Sequence, residues 1–182
     1  MSPRRSLLGA LKSLLTPSRT PSTPHERAAP APAAPAHDVA GRSGTAATTA
    51  VAPPPAGGLR ITYAPDHDGD PDAGEIVWTW VPYAENDGRG KDRPVLVIGR
   101  QSADRVYAVR LTSKSHDGDR DFLALGSGPW DTKGRPSWVD IEQLYSVHAD
   151  GMRREASALD RKRFTIVADA LHRRYGWTVG ER

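Results

Sequence analysis

Hydrophobic residues recur along the chain in three patterns, and each predicts a different kind of structure. Between Arg4 and Leu15, the side chains of Leu7, Leu8, Leu11, Leu14 and Leu15 fall on one helical face and Pro17 stops the run, which predicts a short amphipathic helix over 4–15. From Thr16 to Gly58 the chain is Ala, Pro, Ser and Thr with almost no large apolar side chain. Such a segment buries too little surface to offset its ordering entropy, so residues 1–58 are expected to be a disordered tail.

From Leu59 onward the pattern changes to short β-type runs. Residues 74–82 (GEIVWTWVP) read as strand one, closed by proline. The loop from Tyr83 to Asp92 carries Asn-Asp-Gly and Gly-Lys-Asp turn chemistry and should be exposed. Strand two runs from Arg93 to Arg100, and Val95 to Ile98 are apolar without alternation, as expected of a strand covered on both faces. After the short turn Gln101 to Asp104, strand three (Arg105 to Thr112) is expected to lie antiparallel to it. Phe122 to Leu125 and Ser137 to Val147 supply two or three more strands. Asp160 then caps a helix in which Phe164, Val167, Ala168, Leu171 and Tyr175 form one apolar stripe, ending at Gly176. Residues 59–182 should therefore be a mainly β domain, a small barrel or compact sandwich closed by one C-terminal helix.

Composition sharpens the division between tail and domain. Every Trp, Tyr and Phe lies after Leu59, whereas ten of the 16 prolines lie in residues 1–58. The first 58 residues hold six basic and two acidic side chains, a net of +4, which leaves 19 basic and 20 acidic in the rest. The folded part is thus nearly neutral, and a nucleic-acid site on it must be a local basic patch. The absence of cysteine removes disulfides, thiolate catalysis and thiolate metal sites, and fits a reducing, cytoplasmic setting. Arg4-Arg5 before an apolar run is a faint export signature, but Lys12 interrupts it. No segment approaches the ~20 apolar residues that an integral membrane helix needs.

Arg93 is the first candidate for chemistry, because Pro94 and the apolar run behind it fix a guanidinium at a strand entrance. The polar cluster Thr112-Ser113-Lys114-Ser115-His116 at the end of strand three is the second. His116 is either a proton carrier or a solvated loop histidine. Arg89, Lys91, Arg100, Arg105 and Lys114 could form a basic rim for RNA, with Trp130, in a Gly- and Pro-bounded loop, stacking on a base. Trp78 and Trp80 read better as core or interface residues. His116, Asp117 and Asp119 lack the spacing that converges ligands on one ion, and no Gly-rich nucleotide motif occurs, so neither metal nor cofactor is expected.

The order and spelling of these elements resemble the MazF/PemK family of toxin endoribonucleases over about residues 74–176. The resemblance rests on Gly-Glu-Ile-Val-Trp in strand one and Gly-Lys-Asp-Arg-Pro-Val-Leu-Val-Ile at strand two. It continues with Leu-Thr-Ser-Lys ending strand three and Ser-Trp-Val-Asp-Ile-Glu-Gln-Leu before the helix. It implies an SH3-like β-barrel, a homodimer, metal-independent cleavage of single-stranded RNA through its own 2′-hydroxyl, and a cognate antitoxin peptide bound in the cleft. Carried over by residue, the family's strand-two arginine falls on Arg93 and its strand-three threonine on Thr112, with Ser113 beside it. Glu142-Gln143 matches an acidic residue before glutamine that some members use for acid–base chemistry, although Asp140 stands where that pattern has arginine. Two other readings share the fold: a barrel that acts by binding a protein partner without cleaving RNA, and one recruited by its tail to a membrane or scaffold.

Overall fold

The computed structural model describes residues 39–66, 70–85 and 87–180, all within one unit, Ala36–Arg182. The helix expected over 4–15 lies outside the described residues. Nine strands and one helix follow in the order β1 (Thr49–Val51), β2 (Arg60–Thr62), β3 (Glu75–Pro82), β4 (Gly90–Arg100), β5 (Arg105–Thr112), β6 (Phe122–Gly126), β7 (Ser137–His148), β8 (Met152–Ala158), α1 (Arg161–Tyr175) and β9 (Thr178–Gly180). Seven strands form one antiparallel sheet ordered β1-β7-β5-β4-β3-β8, with β6 also pairing β7, while β2 and β9 pair in parallel. Register shifts interrupt four of its strand pairs, including Val97/Gly99 in β4 and Val109/Leu111 opposite β7. Such bulges bend strands and raise twist, and they curl this sheet into a half-barrel closed by α1.

Strand β4 explains why its apolar residues do not alternate. Leu96 and Ile98 point into the main core with Ile76, Leu111, Val139, Phe164 and Leu171, whereas Val95 and Val97 point into a second core with Val77, Val81, Val106, Tyr145 and Val147. Both faces of the sheet are therefore covered. The helix covers the first through Phe164, Val167, Ala168, Ala170 and Leu171. Its ends match the local signals, since the Asp160 side chain accepts from Arg163 N at 3.0 Å and Gly176 closes it in a left-handed conformation.

The chain before Leu59 packs beside Thr79 and along the edge of β7, and here the expected tail is corrected: residues 39–58 belong to the fold. Strand β1 pairs Thr49 with Ser146 and Val51 with Leu144, although this stretch has no large apolar anchor. What orders it is hydrogen bonding. Trp80 N donates to Ala40 O, and Arg105 Nη2 donates to Thr45 O at 2.6 Å and to Ala47 O at 3.2 Å. The buried Thr79 hydroxyl donates to Gly151 O and accepts from Thr48 at 2.6 Å. Gly41 (φ +83°) sits so close beneath this pair that a Cβ would lie 2.2 Å from Thr79 Oγ1 and 2.5 Å from Gly151 O, so no other residue fits. A chain beginning at Leu59 leaves Thr79 without Thr48 and Arg105 without two carbonyls. With the bonds from Trp80 N to Ala40 O and from Trp177 Nε1 to Pro54 O also lost, it is expected to be less stable than one beginning at residue 39 by about 5 kcal/mol, at roughly 1 kcal/mol per lost hydrogen bond. Equal thermal midpoints for the two chains would show that the strap adds nothing.

Candidate active site

Arg93 lies near the start of β4, opposite Thr79 and on the same face as Val95 and Val97. Its guanidinium makes no hydrogen bond or ion pair with any described residue, although it is half-buried. Burial first, and the neighbouring Arg110 second, hold its pKa below the usual guanidinium value, while Tyr83 and Tyr145 act the other way. It remains charged at neutral pH, since a guanidinium starts so far above it. Arg93 is thus a permanent cation with its hydrogen-bonding fork unspent.

A cleft of about 180 Å³ brings Arg93 together with Lys91, Thr112 and Ser113. Thr112 ends β5, where it pairs with Trp138 of β7 and its hydroxyl oxygen accepts Lys114 N at 3.2 Å, which leaves the hydroxyl proton to be donated. The acidic neighbours of this cleft are already neutralised: Asp92 takes Arg153, and Asp131 takes Arg135 at 2.9 Å. Its net character is cationic.

A larger cleft, about 640 Å³, opens among Tyr83, Arg89, Arg110, Glu142, Gln143 and Tyr145. Arg110 stands on β5 opposite Val95, and its Nε donates to Asp140 Oδ2 at 2.7 Å. Asp140 is 3% exposed, and its second oxygen accepts the backbone amides of Glu142 and Gln143. Tyr145, also buried, has its pKa pushed up by burial, with Arg110 and Arg93 opposing and Asp140 reinforcing that rise.

The structure therefore joins Arg93, Thr112, Ser113 and Lys91 in one cleft and places Arg89 and Glu142 in the other. Arg89 is tied to Asp87 by its Nε at 2.7 Å, and Glu142 reaches only Arg174, at 3.9 Å. Three other candidates are not placed to act at either cleft. His116 stacks on Phe122 with ring centroids 3.5 Å apart and lies 3.4 Å from Asp119, a structural clasp at the start of β6. Lys114 is exposed and lines neither cleft. Trp130 lines the smaller cleft but is 2% exposed, with its indole nitrogen donating to Ser137 Oγ at 3.1 Å, so it cannot stack on an incoming base. The loop folds inward because Gly128 lies against the ring, where a Cβ would be 2.1 Å from its carbons.

The expected basic rim loses two more members, for Arg105 holds the strap and Arg100 reaches Asp70 and Ala103. Trp78 and Trp80 are half-buried, and Arg42 lies 5.0 Å over the Trp80 ring. The residues that sequence reasoning missed are Arg110 and Tyr145. Arg110 reads as an ordinary strand residue, and its partner Asp140 stands 30 residues away.

The curled sheet closed by one helix, with Arg93, Thr112 and Ser113 lining one cleft, defines a small β domain. A family model described as PemK-like, MazF-like toxin of type II toxin-antitoxin system matches residues 72–174, more than half of the chain, and the protein belongs to that family. Among functionally curated proteins no sequence matches the chain. Solved structures similar to it include an endoribonuclease in complex with its cognate antitoxin from a mycobacterial species. That structure is 17% identical, covering 56% of this chain and 90% of that one, with a TM-score of 0.43. Another is the MazE–MazF complex from Deinococcus radiodurans, with 20% identity, 58% and 96% coverage and a TM-score of 0.44. The toxin MazF-mt6 from Mycobacterium tuberculosis is 16% identical, with 54% and 93% coverage and a TM-score of 0.40. At these scores the family match, and not the structural likeness, places the chain. No helix among the described residues is long and apolar enough to cross a membrane.

Proposed function

We propose that the protein is the toxin component of a type II toxin-antitoxin pair and cleaves single-stranded RNA, mRNA in the cell, without a metal ion. The observation that carries this reading is that Arg93, half-buried and with a guanidinium unpaired among the described residues, lines one cleft with Thr112 and Ser113. In this reaction the substrate's 2′-oxygen attacks phosphorus, the bond from phosphorus to the 5′-oxygen breaks, and the products are a 2′,3′-cyclic phosphate and a 5′-hydroxyl. The 2′-hydroxyl gives up a proton and the departing 5′-oxygen gains one. Arg93 holds the phosphate oxygens as negative charge grows on them, and a partly dry cleft strengthens that contact. Thr112 or Ser113 donates a further hydrogen bond, and Lys91 supplies electrostatic affinity at the rim.

The larger cleft carries two carboxylates, Glu85 and Glu142, and Asp140 fixes the backbone of the second through Glu142 N at 2.9 Å. As a member of a type II system the toxin would work in the cytoplasm as a homodimer, held inactive by its antitoxin peptide. The test is incubation of the purified full-length protein with a panel of unstructured RNAs in excess chelator. Fragments ending in 2′,3′-cyclic phosphate and 5′-hydroxyl are expected. An uncut panel, or cutting only with added divalent metal, overturns the proposal and leaves a binding module of the same fold.

A further inference from the structure

Two cations, Arg93 and Arg110, share one face of the β4–β5 pair. Val95 lies opposite Arg110, and Arg93 is two residues back along β4 on that face. Arg93 and Arg110 are therefore diagonal cross-strand neighbours, a spacing of about 7–8 Å that long side chains readily span. Asp140 offsets Arg110 alone, so the two guanidiniums still repel at that distance, and an anion held between them would complete the set.

The two guanidiniums are not equivalent. Arg110 spends its Nε on Asp140 at 2.7 Å, and Asp140 is itself locked by the amides of Glu142 and Gln143. The ion pair thus acts as a mount. It fixes the plane of the guanidinium and leaves both terminal nitrogens without a partner among the described residues, at the wall of the larger cleft. Tyr145 stands beside it in that cleft, its hydroxyl likewise without a hydrogen-bond partner among the described residues.

We infer that Arg110 is a second phosphate-binding residue, gripping the same RNA backbone as Arg93 from the neighbouring strand, with Asp140 as the residue that positions it. This deepens the RNA-cleaving reading and rests on it. Together the two arginines would carry the strand from the smaller cleft into the larger, past Tyr145. A mounted fork of this kind suits a phosphodiester better than an amine or a neutral base, since planar paired donors match paired oxygens.

Arg110→Gln alone would strand the buried Asp140 carboxylate, so the informative variant is Arg110→Gln with Asp140→Asn. The pair of changes leaves net charge untouched, and the new amide oxygen can still accept from Glu142 N and Gln143 N. The probe is a single-stranded 2′-fluoro RNA, which presents phosphates but no nucleophile, titrated against the full chain at several salt concentrations. The double variant is expected to bind about tenfold more weakly. Its slope of log affinity against log salt should fall by about 0.7, the value for one lost contact to a single strand, with Arg93→Gln behaving alike.

Wild-type affinity and slope in the double variant, with Arg93→Gln still weakened, would overturn the role of Arg110 and leave RNA cleavage standing. A wild-type protein that binds the 2′-fluoro RNA with the expected variant effects, yet leaves unmodified RNA intact, would support Arg110 and overturn the catalytic reading. A wild-type protein that does neither overturns both.

Discussion

Arg93→Ala is expected to slow RNA cleavage by ~10²–10³, about 3–4 kcal/mol of transition-state stabilisation, while leaving the fold intact. The second half of that expectation follows from what Arg93 lacks. Because its guanidinium has no partner among the described residues, its removal orphans no buried carboxylate and relieves repulsion with Arg110. Lys91→Ala should differ, weakening binding and its salt dependence with little effect on the rate at saturating RNA, because a rim cation contacts substrate and transition state alike. Single-turnover rates beside thermal melts separate the two. A tenfold or smaller loss in Arg93→Ala with unchanged stability would remove Arg93 from the reacting centre.

Trp177→Ala should be the most damaging substitution for stability, at about 3–5 kcal/mol. Trp177 is 0% exposed, directly after the left-handed Gly176 that ends α1. Its ring stacks on Tyr175 at 4.5 Å between centroids, and its indole nitrogen donates to Pro54 O at 3.0 Å. One side chain therefore fills the main core and fastens the strap to the end of the helix. Thr178 N and Gly57 N close the same joint through Leu59 O and Gly176 O. Chemical denaturation of the variant should show the loss directly. A change below about 1 kcal/mol would mean that the strap and the helix end hold without it.

The elements legible in the sequence are those whose signals are local. The helix was readable to its caps because Asp160, the apolar stripe and Gly176 each act within one turn. Strands β3, β4, β5 and β7 announce themselves through β-branched and aromatic runs, and the doubly apolar Val95–Ile98 stretch correctly indicates cover on both faces. Four strands are invisible for a shared reason. Strands β1, β2 and β9 are three residues each, and β8 reads MRREASA, so partners elsewhere in the chain decide their conformation.

The candidate site divides in the same way. Arg93 and Thr112 can be picked out because each sits at the end of a recognisable strand. Arg110 cannot, since its significance comes from a carboxylate on another strand. Trp130 misleads because a Gly- and Pro-rich loop usually means exposure, whereas here the glycine exists to let the ring in.

The pairings that tie the strap down also dictate when the molecule can be finished. Thr49 waits for Ser146, and Arg60 waits for Thr178, so the earliest described strands find their partners only about a hundred residues further along the chain. The β3–β4–β5 meander, with close sequence neighbours, can form while the ribosome is still adding residues, but closing the long loops must come afterwards. A chain built this way spends part of its synthesis with Arg93 and Thr112 already on paired strands while the edges of the sheet are still open.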